Sequence, residues 1–247
     1  MAGSLFIPQG YRPTLDLQAV ESAIKDIKDF FEHNLAVALN LQRVTAPLFV
    51  RSGTGINDDL NGIEKPVQFR VKEDGDAPVE IVQSLAKWKR LALARYGFQV
   101  GQGLYTDMNA IRPDETIDNM HSIYVDQWDW EKILAPDQRH LQTLKDTVEA
   151  IYDVISRTEF HIASRHSRIR PLLPPRIKFV TSEELCARYP ELHPRQREDR
   201  ICAEYKAVFV IGIGGQLPDG QPHDGSAPDY DDWTTPHNEG GRGLNGD

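Results

Sequence analysis

IVQSLAKWKRLALARYGFQVGQGLYTDMNAIRPDETIDNMHSIYVDQWDWE, residues 81–131, is the stretch from which the rest of the chain is read. It opens with Lys87, Lys89, Arg90 and Arg95 among good helix formers. Gly101 and Gly103 then introduce a strand, Arg112-Pro113-Asp114-Glu115 a polar loop, and residues 121–130 a return strand. On that return strand the two-residue period puts Ile123, Val125, Gln127 and Asp129 on one face. Ser122, Tyr124, Asp126, Trp128 and Trp130 take the other. A face that begins Ile-Val and ends Gln-Asp can run from a core into the floor of a polar site. Each feature alone has a plainer reading. A Lys/Arg cluster is usually a solvated helix face. Arg-Pro-Asp-Glu is usually a turn, because proline fixes φ and aspartate supports the bend.

Upstream, Val20, Ile24, Ile27, Phe31 and Leu35 recur at helical spacing, so residues 16–38 are expected to form an amphipathic helix capped by Asp16. Residues 41–50 then turn strand-like, with Pro47 demoting them to an edge or a bend. Residues 52–62, SGTGINDDLNG, form a loop by composition and lack the Lys-Ser/Thr ending of a P-loop. Residues 67–71 alternate as a strand, and residues 73–76 read as a hairpin turn.

Downstream, Leu141, Leu144, Val148, Ile151 and Ile155 predict the buried stripe of a second long helix over residues 137–161. Residues 177–180 read as a short strand. Thr181-Ser-Glu-Glu184 is a capping box for a helix that Pro190 ends, and Pro194 suits the first turn of another. Residues 207–213 form an apolar, β-branched run, expected as a buried strand closed by Gly214-Gly215. Residues 216–247 are rich in Gly, Pro and Asp. They carry His223, Asp224, Asp229, Asp231, Asp232 and His237, at spacings that match no calcium loop or zinc signature.

The 247 residues suit one large domain, and 40% hydrophobic residues are enough for a core. A net charge of −9 argues against a broad nucleic-acid surface. No apolar run approaches the roughly 18–20 residues of a membrane span, and the N-terminus lacks the basic start of a secretory signal. Two cysteines, Cys186 and Cys202, fit a reducing cytoplasm better than a disulfide scaffold and are expected as buried thiols.

Taken as a whole string, the chain resembles the ammonia-dependent asparagine synthetases, or aspartate–ammonia ligases, which share the catalytic fold of class II aminoacyl-tRNA synthetases. The resemblance is carried by Ser84-Leu-Ala-Lys-Trp-Lys-Arg90, Gly103-Leu-Tyr-Thr106, Arg112-Pro-Asp-Glu115 and Tyr124-Val-Asp-Gln-Trp-Asp-Trp-Glu131. Residues 223–233 and 243–247 add to it. Matches of this length are far more specific than a short motif.

The resemblance implies an α+β fold, an antiparallel sheet flanked by helices, forming a single catalytic domain over residues 1–247. It implies that the chain stops short of the family's third motif, and that it forms a homodimer through the first long helix and its strand. The implied reaction joins ammonia to L-aspartate with ATP and Mg²⁺, through a β-aspartyl-adenylate. Alternatives are a class II aminoacyl-tRNA synthetase core and a non-catalytic dimerisation or ligand-binding module.

By the same resemblance Arg112 bridges the α-phosphate and the attacking carboxylate, and Lys89 and Ser84 hold a substrate carboxylate. Gln127 and Asp129 reach the substrate pocket from one strand face. His121 and Ser122 lie by the adenine and ribose, Asp247 near the nucleotide and metal, and Asp231 counts among the ATP-binding residues as well. Asp58 and Asp231 bind the substrate α-ammonium or attract ammonium, and either could take the proton that ammonium loses. The family often has His where Gln83 stands. Glutamine cannot carry a proton at neutral pH, so no acid–base role falls there.

Overall fold

The computed structural model describes residues 5–58, 60 and 64–224. They form two compact units, one built on Asn40–Ile133 with residues 5–13, the other on Thr14–Leu39 with residues 134–224.

The first unit holds two three-stranded sheets. In one, β5 (Gly103–Ile111) lies between β1 (Leu41–Arg43) and β6 (Tyr124–Lys132). The β5–β6 hairpin is antiparallel, with Thr106 opposite Asp129 and Met108 opposite Gln127. β1 runs parallel to β5, so this sheet is mixed rather than wholly antiparallel. In the other sheet β4 (Ala77–Ile81) pairs antiparallel with both β2 (Phe49–Arg51) and β3 (Gln68–Val71). The single strand-like run 41–50 is therefore two short strands in different sheets. Pro47 lies in the break, where its missing N–H does not interrupt a ladder.

α2 (Ala86–Arg95) packs on the β5–β6 hairpin. Val82, Leu85, Met108 and Ala110 form one apolar cluster there, and Ala92, Leu93 and Leu104 another. Leu85 and Leu104 are fully buried, and each side chain contributes roughly 1.5–3 kcal/mol by leaving water. Gly103 is needed where β1, β5 and β6 meet. A Cβ there would collide with the carbonyl oxygen of Glu131 and lie 2.6 Å from Leu41 Cδ2.

β6 begins at Tyr124, three residues later than the alternation predicts. The cause is local. Asp118 Oδ1 accepts the backbone N–H groups of Met120 and His121 at 2.7 and 2.8 Å, and a turn replaces the start of the strand.

The second unit pairs α1 (Leu17–Leu39) with α3 (Leu141–Arg165). Asp16 caps α1 by accepting the Ala19 N–H at 2.8 Å. The burial of α1 falls on Ala23, Leu35 and Leu39, whereas Ile24 and Ile27 of the expected stripe stay 46% and 38% exposed. α3 starts after a short 3₁₀ turn at Pro136–Gln138, and Ile155 is likewise exposed. β7 (Lys178–Thr181) and β8 (Val208–Ile211) pair in parallel, again unlike a purely antiparallel sheet. The capping box at Thr181 opens α4 (Ser182–Arg188), and Pro194 opens α5 (Pro194–Tyr205), as predicted. β8 ends sooner than Gly214-Gly215 because Gly212 turns the chain with φ +83°. Cys186 is buried, but Cys202 is exposed, which corrects the expectation for that thiol.

Candidate active site

The sequence of α2 supplies no side-chain cap of its own, and its N-cap position is Leu85. The loop ending at Asp58 fills that role from 28 residues upstream. Asp58 is fully buried, and its Oδ2 accepts the Ala86 N–H at 2.9 Å. A carboxylate at a helix N-terminus meets both a free N–H and the positive end of the macrodipole. Ser84 Oγ is a second, longer acceptor of the same N–H at 3.3 Å. The other oxygen of Asp58, Oδ1, is buried and has no hydrogen-bond partner. A buried carboxylate oxygen without a donor is costly, and a cation or an N–H donor from a ligand would satisfy it.

Asn57 sets this geometry, and nothing in its residue type announced it. Its Nδ2 donates to Glu80 Oε2 at 3.1 Å and to the Ile81 carbonyl at 3.3 Å. Its Oδ1 accepts the Gln83 N–H at 2.8 Å. One buried carboxamide thus ties the Asp58 loop to the junction between β4 and α2. The only sequence signal for it was an Asn inside a loop.

Lys89 and Asp129 are brought together as an ion pair, with side chains 7% and 17% exposed. Lys89 Nζ also donates to the Trp130 carbonyl at 3.0 Å and lies 3.5 Å from Glu131 Oε2. The pairing follows from register. Asp129 sits opposite buried Thr106, on the hairpin face that α2 covers, and Lys89 points down from that helix. Gln127 is two residues away on the same face, opposite buried Met108.

Arg112 follows the last residue of β5, and its backbone N–H continues the ladder to the Ile123 carbonyl at 2.8 Å. Arg112 lines a cavity of about 130 Å³ together with Leu60, Glu64, Gln83, Pro113, Asp114 and Glu115. Arg112 Nε is buried and makes no hydrogen bond. Among the described residues no hydrogen bond or ion pair joins Arg112 to Asp58, Lys89 or Asp129.

His121 and Ser122 are exposed. His121 Nδ1 lies 2.9 Å from Asp118 Oδ1. Donated hydrogen bonds, the Met120 N–H first and the His121 ring next, hold the Asp118 carboxyl below its ordinary pKa. Asp231 and Asp247 lie outside the described residues, as do Asp229, Asp232 and His237 of the acidic tail. His223 is described, and its Nε2 meets Glu198 Oε1 at 2.8 Å. Among the described residues no group of three His, Cys, Asp or Glu side chains is placed to hold a metal ion, and no helix is long and apolar enough to cross a membrane.

Comparison with known proteins adds three findings. A family model described as aspartate–ammonia ligase matches residues 18–247. The aspartate–ammonia ligase of Clostridium perfringens is 58% identical over 98% of this chain and 70% of its own length. That of Bacteroides thetaiotaomicron is 54% identical over the same shares. Among solved structures, an asparaginyl-tRNA synthetase from Pyrococcus horikoshii complexed with asparaginyl-adenylate superimposes with a TM-score of 0.58 at 14% identity. It covers 77% of this chain and 44% of that one. An aspartyl-tRNA synthetase from Entamoeba histolytica gives 0.52 at 11% identity, over 92% and 42%. The chain therefore spans less than half the length of these synthetases, and the likeness is one of fold, that of a class II synthetase catalytic core.

Proposed function

The chain belongs to the aspartate–ammonia ligase family, and on that premise we propose that it makes L-asparagine from L-aspartate and ammonia through a β-aspartyl-adenylate formed with ATP. An oxygen of the β-carboxylate attacks the α-phosphorus, and the bond to pyrophosphate breaks. Ammonia then attacks the acyl carbon, the electron pair of the C–O bond leaves with AMP, and the nitrogen gives up a proton.

The observation that carries this reading is the buried Lys89–Asp129 pair in the polar floor beside α2. Two opposite charges held at contact match the ammonium and carboxylate of a zwitterionic amino acid. In the resting protein each partner offsets the other's desolvation. On binding, Lys89 turns to a substrate carboxylate, which Ser84 helps to orient, and Asp129 with Gln127 receives the polar groups freed. The unpartnered Nε of Arg112 supports its role as the group that bridges phosphate and attacking carboxylate. Asp58 offers its unpaired oxygen to ammonium or to the α-ammonium, with Asp231 in the alternative role. His121 and Ser122 serve the nucleoside, and Asp247 the nucleotide side. Mg²⁺ belongs to the same proposal and would enter on the phosphates of ATP, whose charge it neutralises.

In this reading both compact units form one catalytic domain of a cytoplasmic homodimer without nucleic-acid substrate. The half-exposed Ile24 and Ile27 of α1 support a partner on that helix. The test is L-aspartate-dependent exchange of pyrophosphate into ATP, together with asparagine formation from ammonium. Exchange without aspartate, asparagine formed only from glutamine, or charging of a tRNA would overturn the proposal.

A further inference from the structure

Gln83 is 2% exposed, and no hydrogen bond of its side chain is formed among the described residues. A carboxamide has two N–H donors and two acceptor sites, and one that is 2% exposed keeps little water to satisfy them. Its backbone has no freedom to carry the side chain elsewhere, since the Gln83 N–H is held by Asn57 Oδ1 at 2.8 Å and Asn57 is fastened to Glu80 and Ile81. Gln83 lines the same 130 Å³ cavity as Arg112, whose Nε is buried and unpartnered. Two groups with unmet N–H donors therefore converge on one small space. That space is large enough for several water molecules or the head of one ligand.

We infer that Gln83 is a ligand-contacting residue, its Nε2 donating to an anionic oxygen held in the same cavity by Arg112. The inference rests on the proposed reaction for the identity of that oxygen, phosphate of ATP or carboxylate of aspartate, but not for its charge. Glu64, Asp114 and Glu115 line the cavity too. An anion entering among three carboxylates needs every N–H donor on offer, and a neutral amide supplies two without adding a charge. Asn57 is the positioning residue behind it, because it fixes the backbone from which the amide is presented.

The test uses Gln83→Met and Gln83→Glu in the full chain. Methionine keeps the volume and drops the hydrogen bonds; glutamate keeps the shape and opposes an anion. ATP and L-aspartate are titrated separately by calorimetry, and aspartate-dependent pyrophosphate exchange is measured beside them. The ligand-free melting temperature of Gln83→Met should equal or exceed that of the parent, since no protein partner is lost. Its affinity for one of the two ligands should fall about tenfold or more, as for a lost hydrogen bond to a charged group, and Gln83→Glu should bind that ligand more weakly still. The ligand affected identifies the oxygen. Unchanged affinity for both ligands, or a Gln83→Met chain that does not fold, overturns the inference. Weaker ATP binding in the two variants of a parent chain that binds ATP but shows no aspartate-dependent exchange would retain the inference and refute the proposed reaction. Parent-like exchange and parent-like affinity for both ligands in both variants would do the reverse.

Discussion

Replacing Asp58 by Asn separates what this carboxylate does for the fold from what it does for a ligand. The change removes one charge and almost no volume. Asn Oδ1 can still accept the Ala86 N–H that Asp58 Oδ2 accepts at 2.9 Å. A hydrogen bond to a charged group is worth about 1.5–3 kcal/mol and a neutral one about 0.5–1.5, so the cap weakens by about 1 kcal/mol. Losing the favourable charge at the N-terminus of α2 adds about 0.3–1 kcal/mol. Against this, the buried and unpartnered Oδ1 no longer has to be held as part of an anion, a relief of about 1–3 kcal/mol. The terms nearly cancel, and Asp58→Asn should be within about 1 kcal/mol of the parent in urea unfolding.

Asp58→Ala differs. It deletes the cap and leaves the Ala86 N–H only the longer bond to Ser84 Oγ at 3.3 Å, so a loss of about 1–2 kcal/mol is expected. Activity should not follow the order of stability. Both should lose about 10²-fold or more in asparagine formation, because both lack the charge that receives a cation or proton. An Asp58→Asn enzyme that is destabilised like Asp58→Ala yet turns over normally would refute the reasoning. The carboxylate would then be a helix cap and nothing more.

Three further outcomes are expected. Arg112→Lys should keep the melting temperature, since the side chain makes no protein hydrogen bond through Nε. It should cost about 10²–10³ in pyrophosphate exchange, because lysine keeps the charge and loses the planar fork. Gly103→Ala should destabilise by about 1–3 kcal/mol in thermal or urea melts. Its Cβ has no room between the Glu131 carbonyl and Leu41, and because Glu131 neighbours the Lys89 clamp, activity should fall more than stability. Cys202, although exposed, should react with an alkylating reagent at pH 8 more slowly than a free model thiol. Its pKa is raised, first by partial burial and then by Glu198 and Asp199, and the thiolate is the reactive form. Charge-neutral substitutions at those two acids should speed the reaction.

Local order was legible in the residues themselves. The capping box at Thr181, the proline that opens α5, the cap at Asp16 and the alternation on β6 all operate within a few positions. At that range backbone geometry alone dictates which side chains can meet. Face-sharing of Val125, Gln127 and Asp129 is of the same kind, and so is the likeness of residues 81–131 to one enzyme family, because the motifs that carry it form largely one continuous string. Partnership was not legible. Ile24 and Ile27 have the helical period of a core but remain half-exposed, since burial depends on the surface that meets the helix. Cys202 is open to solvent for the same reason. Parallel pairing of β1 with β5 and of β7 with β8 depends on how distant segments return, and no periodicity encodes it. Asp58 at the N-terminus of α2, Lys89 against Asp129, and Gln83 beside Arg112 join residues about 28, 40 and 29 positions apart. Hydrogen bonds and ion pairs act only at contact. The sequence can therefore name such residues, but only the folded chain decides which are already satisfied by one another and which are left for a ligand.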